Sequence, residues 1–369
     1  MPATDKEFTG SIPEFYDRFF VPLIFEPYAA DIRGVLKGFA DELYKNEGYT
    51  LNAANEIEGF LFKGPDAERR YNETGKFEYV NTGGYFHSLP GDTLRTFIDT
   101  TAEVQRAMGF QNEKDHPEVA PSQFEINYSY AEVVAAADNI QLYKLICRQV
   151  ATHMGCTASF LPKPVVGVNG SGMHTNVSIS KNGKNLFWDP KGEEKLSGMG
   201  WAFIDRLLTH GLDICLVFNS SVNAYRRLDP HFEAPNQLNA SPVDRGAMVR
   251  VPIGNERSMR IEFRSVAPDA NPYLVMYTVF KTGLHGETAK IKNLRRAERF
   301  LPDNIYSALD DFRKAEWTTK LLGKDVKARY ADLKQASADR CPRLLGTFVK
   351  APEVQYHHDV YNQYLWNLF

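Results

Sequence analysis

Residues 259–264 alternate without exception: Met259, Ile261 and Phe263 point one way, Arg260, Glu262 and Arg264 the other. A period of two is the mark of a strand buried on one face, and a slip of one residue would drive three ionic groups into the core. The same pattern recurs at 122–130, where Phe124, Ile126 and Tyr128 alternate with Gln123, Glu125 and Asn127, and again at 173–179. Residues 51–62 are also extended in character, with Glu56 and Glu58 on one face and Ile57 opposite. Between these segments apolar residues recur at helical spacing. The pattern predicts helices at 31–44, at 94–108 before Gly109, at 131–154 before Gly155, from 201 to 210, and at 271–284, the last apolar enough to be buried. A charged, peripheral helical stretch is expected at 308–335. Strands charged on one face, with helices between them, predict an α+β fold: a curved antiparallel sheet backed by helices.

Composition narrows the functional classes. At 43% hydrophobic and 24% charged, the 369 residues are those of an ordinary soluble chain. A net charge of −3 with the basic residues spread out gives no reason to expect a nucleic acid partner. No apolar run approaches membrane-spanning length, and residues 1–7 lack the signature of a signal peptide. The four cysteines, Cys147, Cys156, Cys215 and Cys341, include no closely spaced pair and read as free buried thiols of a cytoplasmic protein.

The carboxylates that interrupt apolar or alternating segments are Glu56, Glu58, Glu118, Glu125 and Glu262. If their strands share a sheet, they line one face together, where like charges repel and raise one another's pKa. Divalent cations relieve that repulsion, and oxygen ligands with one imidazole suit Mg²⁺ or Mn²⁺. The run Asn169-Gly170-Ser171-Gly172-Met173-His174 offers that imidazole behind a loop whose backbone can approach an anion. Arg227, Arg245, Arg250, Arg260 and Arg264 fall within 38 residues, and guanidinium groups grip phosphates and carboxylates through paired hydrogen bonds. Singly, each residue has a bland reading as a surface ion pair. Together they fit phosphoryl transfer to a carboxylate.

Five ordered blocks resemble the glutamine synthetase family in its bacterial and archaeal type I form: Asn55-Glu56-Ile57-Glu58-Gly59-Phe60; Gly83-Gly84-Tyr85-Phe86; residues 116–126, similar to an HHEVAPGQHEI block; Pro162-Lys163-Pro164 leading into the 169–174 loop; and Asn223 to Leu228 with Phe232-Glu233-Ala234-Pro235, followed by residues 260–264 and 271–274. The resemblance implies the glutamine synthetase/guanido kinase-like catalytic fold over residues 20–369, with 1–19 a remnant or replacement of an N-terminal β-grasp domain. Only 55 residues precede Glu56, so most of that domain is expected to be lacking.

The resemblance also implies an activity: ATP-dependent ligation of ammonia to the γ-carboxylate of L-glutamate through a γ-glutamyl phosphate. Glu58, Glu118 and Glu125 would hold one Mg²⁺ or Mn²⁺, and Glu56, His174 and Glu262 a second. Arg227 would take the substrate α-carboxylate, with Asn169 and Gly170 beside it. Arg245, Arg250 and Arg264 would surround the phosphates, while Asn176, Ser178, Arg257 and Arg260 lie on the nucleotide side. Glu233 matches a flap glutamate that takes a proton from the amine, and Tyr85 would flank the ammonium pocket. A homo-oligomer is implied, which a chain supplying the β-grasp domain could complete. Two alternatives keep the same blocks: a γ-glutamyl ligase for another small amine, and a non-catalytic paralogue acting as a regulatory or assembly partner.

Overall fold

The structure is a computed structural model and describes residues 26–85, 91–232, 234–296 and 299–345. In chain order it runs α1 (Glu26–Glu47), β1 (Tyr49–Lys63), α2 (Ala67–Thr74), α3 (Thr93–Ala107), β2 (Asn112–Pro117), β3 (Gln123–Tyr128), β4 (Ala131–Glu132), α4 (Val133–His153) and β5 (Cys156–Ser159). It continues through β6 (Met173–Lys181), β7 (Lys184–Asn185), α5 (Gly198–Thr209), α6 (Gly211–Phe218), α7 (Val222–Arg227), β8 (Gln237–Ser241), β9 (Ala247–Arg250) and β10 (Ile261–Phe263). Helices α8 (Pro272–His285), α9 (Ile305–Lys314), α10 (Glu316–Leu322) and α11 (Lys324–Leu345) complete it. Residues 1–19, expected to replace a β-grasp domain, lie outside the described residues.

One open sheet organises the chain, in the order β2-β3-β1-β6-β10-β9-β8. Its pairings are antiparallel, as expected of the α+β fold, except β8 with β9, which is parallel. The apolar half of each alternation forms the inner face: Ile57 on β1, Phe124 and Ile126 on β3, Met173 and Val177 on β6, and Ile261 and Phe263 on β10 are all buried. Helix α4 closes over them with Val133, Ala137, Ile140 and Tyr143, and the Tyr143 hydroxyl donates to the Ile57 carbonyl at 3.0 Å. Each such side chain contributes about 1.5–3 kcal/mol by leaving water.

The segment expected to be helical and peripheral, 308–335, falls within three helices. Ala315 takes an extended conformation, and Gly323 stands at φ 77°, so the chain turns twice. Leu309, Phe312, Trp317 and Leu321 are buried. Most of its charges sit on the outer face of helices that pack through their other side, while Lys334 is buried. Cys147, Cys156 and Cys215 are free and buried, as expected. No helix among the described residues is long and apolar enough to cross a membrane.

Candidate active site

The polar half of each alternation emerges on the opposite face, and register fixes which groups meet. Glu125 of β3 stands opposite Glu58 of β1, and His116 of β2 opposite Glu125. Two residues along β1, Glu56 stands opposite His174 of β6. Further across, Asn176 faces Glu262 of β10, which faces Arg250 of β9. Directly paired residues share a face, so a band of charge crosses five strands and then reaches Arg250 on β9. It stops along β1 beyond Glu58, where the same face turns aromatic: Phe60 stacks on Phe62 at 5.6 Å, and Phe62 on Phe77 at 4.3 Å.

Two clusters of metal-ligand type lie in this band. Glu56, His174 and Glu262 bring one ligand atom each to within 4.8 Å of one another. His174 Nδ1 lies 3.6 Å from Glu56 and 3.8 Å from Glu262. Those gaps are too long for hydrogen bonds, yet short enough for one cation held at about 2.1 Å by each donor. Burial, then the neighbouring Arg264 charge, lowers the His174 pKa and leaves a neutral imidazole with a lone pair to give. Burial works to raise the Glu56 carboxyl, but His174, Asn176 and Arg250 outweigh it and hold it at about 2.

The second cluster is His116, Glu118 and Glu125, again within 4.8 Å. Burial and the charges of Glu118 and Glu125 push the Glu58 carboxyl well above its usual range. Burial and the Glu125 charge push Glu118 up to about 7. The Gly172 N–H, which donates to Glu58 at 2.8 Å, and the Arg227 charge oppose that repulsion without overcoming it. Three mutually repelling carboxyls with oxygen donors fit a hard divalent ion. His116 lies 3.6 Å from both Glu118 and Glu125, and its interaction with Glu125 raises its pKa to about 9 against the effect of burial. Sequence reasoning passed over this histidine. The signal was present, because His116 and Glu118 sit two apart in the 116–126 block, at the end of β2 and just past it.

A cavity of about 520 Å³ covers both clusters and is lined by Tyr85, Asn169, Gly170, Arg227, Arg245, Arg250, Arg260 and Arg264. Arg227 is fully desolvated, and burial lowers it to about 10. Its Nη2 donates to the Arg264 carbonyl at 3.1 Å, whereas its Nη1 is buried without a hydrogen-bond partner, as is Arg264 Nε. Unmet guanidinium donors on residues that line a cavity favour an anion there. Arg264 and Arg250 also clamp Glu262, at 2.5 and 3.1 Å. The loop geometry is dictated by Arg227: a Cβ on Gly172 would stand 2.5 Å from its Nη2, and one on Gly170 2.5 Å from the Pro162 carbonyl. Tyr85 lies across the mouth, its ring 5.1 Å from His116.

A second cavity of about 840 Å³ adjoins the first and shares Glu56, Asn127 and Arg260 with it. Asn176, Ser178 and Arg257 line it. Arg260 Nε donates to Asn176 Oδ1 at 2.8 Å, and Asn176 Nδ2 to Glu56 at 3.2 Å, so a side-chain chain links the two chambers. Every site residue expected from the sequence is therefore gathered at one face, apart from Glu233, which lies outside the described residues.

A sequence profile described as "Glutamine synthetase, catalytic domain" matches residues 29–346. The chain belongs to the glutamine synthetase family. It is 36% identical over 350 residues to the glutamine synthetase of Methanosarcina mazei, a match covering 90% of this chain and 76% of that one. The glutamine synthetase of Clostridium saccharobutylicum matches at 36% over 329 residues, covering 85% and 73%, and that of Staphylococcus aureus strain MRSA252 at 37% over 335 residues, also covering 85% and 73%. The Plasmodium falciparum glutamine synthetase structure superposes with a TM-score of 0.73, at 21% identity, over 88% of this chain and 79% of that one. At that identity the superposition supports the glutamine synthetase fold, and the chemistry has to be argued from the site itself.

Proposed function

We propose that this chain catalyses the ATP-dependent ligation of ammonia to the γ-carboxylate of L-glutamate through γ-glutamyl phosphate. The observation that carries the reading is the juxtaposition of a buried, unsatisfied Arg227 Nη1 with two cation-ready clusters on neighbouring strands. Arg227 binds the α-carboxylate, with Asn169 and Gly170 shaping the pocket beside it. That orientation directs the γ-carboxylate toward Glu58, Glu118 and Glu125. Divalent ions, Mg²⁺ or Mn²⁺, held by Glu58, Glu118 and Glu125 and by Glu56, His174 and Glu262, would supply charge neutralisation for the nucleotide phosphates and the carboxylate.

The remaining steps fall to side chains. Asn176, Ser178, Arg257 and Arg260 hold the nucleotide in the larger chamber, aiming its terminal phosphate past Glu56. Arg245, Arg250 and Arg264 stabilise negative charge on the transferring phosphoryl group and then on the acyl phosphate. Tyr85 flanks the amine's approach, and Glu233 accepts the proton the amine sheds as nitrogen attacks the acyl carbon and phosphate leaves. On the same reading the chain works as a homo-oligomer, or with a chain that carries a β-grasp domain, which native mass measurement tests.

The decisive assay follows phosphate release from ATP and glutamate with Mg²⁺, with and without ammonium. Ammonium-dependent turnover with stoichiometric glutamine is expected. Turnover that needs methylamine, ethanolamine or a polyamine instead would replace ammonia by another acceptor. No glutamate-dependent phosphate release with any of them would overturn the ligase reading. Arg227→Lys is expected to raise KM for glutamate about 100-fold while leaving KM for ATP within a few-fold, because it removes a bidentate carboxylate partner.

A further inference from the structure

Lys163 lies in the connection from β5 to the glycine loop, is 2% exposed, and holds neither substrate nor cation in the reading above. Its backbone is locked to α7 by a reciprocal amide pair: its N–H donates to Asn223 Oδ1 at 2.6 Å, and its carbonyl accepts from Asn223 Nδ2 at 2.8 Å. Helix α7 is the one that ends in Arg227. The Lys163 ammonium donates to the Val168 carbonyl, at the start of the glycine loop. On its other side it stands 3.7 Å from the centre of the Phe232 ring, and Phe232 lines the cavity that holds Glu118 and Arg227. The preceding Pro162 carbonyl accepts from Ser171 N–H at 2.7 Å. Three pieces of the cavity wall therefore converge on one buried residue.

An ammonium is a costly group to bury for packing alone, since a methionine would fill the same space without desolvation. Burial lowers the Lys163 pKa to about 8 even with the Asp229 charge acting to raise it. The compensating contacts are a carbonyl and an aromatic face, and a desolvated cation–π contact is among the stronger ones available to an aromatic ring. The carbonyl contact is local and holds the ammonium to the start of the glycine loop, while the Phe232 contact reaches a turn 64 residues further along the chain than Val168, so one side chain spans both segments.

We infer that Lys163 is a positioning residue that couples the glycine loop to the 230–232 turn, so that the two sides of the cavity close over the activated carboxyl together. This rests on the ligase reading for its kinetic consequence. When the two sides seat independently, water reaches the acyl phosphate: its oxygen attacks the acyl carbon, the bond from that carbon to the phosphate oxygen breaks, and glutamate and inorganic phosphate form, with the released proton going to solvent.

The test uses the full chain, with Lys163→Met and Phe232→Leu as parallel variants and two readouts. Amide hydrogen exchange is the first. Phe232→Leu is expected to speed exchange at 168–172, and Lys163→Met at 229–232, each change being felt at the far end of the tether while α4 is unaffected. The second readout is phosphate released per amide formed, expected to rise about tenfold in either variant, the order of a desolvated cation–π contact, with no further rise in the double variant. Exchange that changes only beside the substitution would overturn the coupling, as would a loss of kcat with the ratio unchanged. Should the wild-type chain show no ligase activity, the function fails on its own assay and the exchange readout still decides the tether.

Discussion

Ser122 sits at φ 61°, in the left-handed region that suits glycine. It occupies the place of glycine in the HHEVAPGQHEI block, and the structure shows what offsets the strain. Its hydroxyl accepts from the Val80 and Asn81 N–H groups at 2.9 and 3.0 Å and donates to the Asn81 carbonyl at 3.0 Å. The segment leading to Tyr85 is thereby pinned to the hairpin that presents Glu118 and Glu125. Ser122→Ala keeps the strain and strips two buried donors of their acceptor, so a loss of about 2–3 kcal/mol is expected in chemical denaturation. Ser122→Gly loses the same bonds but relieves the backbone, and should fall about 1 kcal/mol short of that loss. If alanine proves as benign as glycine, the hydroxyl contributes nothing and the pin is imaginary.

At the scale of elements, alternation told which residues share a face, and it did so because a strand's side chains have no freedom to choose. Glu56, Glu58, Glu125 and Glu262 were legible for that reason. Which strand lies beside which was not, since pairing order is set by crossovers many residues long. The meeting of Glu56 with His174 was expected through the family resemblance and not through alternation, and the parallel β8–β9 pair had to be seen. The breaks at Ala315 and Gly323 were hidden as well, because amphipathic spacing resumes on each side of them. Lys144 was invisible for another reason: a lysine within a helical pattern is ordinarily solvated, yet this one is buried in α4 and donates to the Pro268 carbonyl at 2.5 Å.

Burial lowers the Lys144 pKa from 10.5 to about 8, which gives a signed expectation. Below pH 8 folded and unfolded chains both carry the proton, and the cost of the buried charge is constant. Between 8 and 10.5 the unfolded chain holds one proton more, so stability rises with pH, by up to about 1.4 kcal/mol per unit. Relative to Lys144→Met, the wild type should therefore gain stability as pH is taken from 8 toward 10. Parallel stability curves for the two proteins over that range would refute the assignment.

For the molecule as a whole, the same crowding of Glu58, Glu118 and Glu125 that suits a cation works against the fold without one. Mn²⁺ or Mg²⁺ is expected to raise the melting temperature by a few degrees, following about 2.7 kcal/mol at a hundredfold excess over Kd. Glu58→Gln should melt above the wild type in chelator and respond less to added metal, the trade of stability for function common at such sites. A variant that melts lower in chelator would mean that the Glu58 carboxylate supports the fold through its Gly172 contact and is not opposed by its neighbours.

The ladder that spaces these groups has a consequence for how such a protein can diversify. Glu56, Glu58, His174 and Glu262 are indexed to one another by backbone pairing, and moving any of them by one position would turn it toward the helices. Divergence is thereby funnelled elsewhere. The floor admits only replacement in place, whereas Tyr85 and Pro235 stand on connections between strands and helices, where length and chemistry can change. Descendants of such a chain that take a new acceptor would keep an unaltered phosphate-handling floor beneath a rewritten rim.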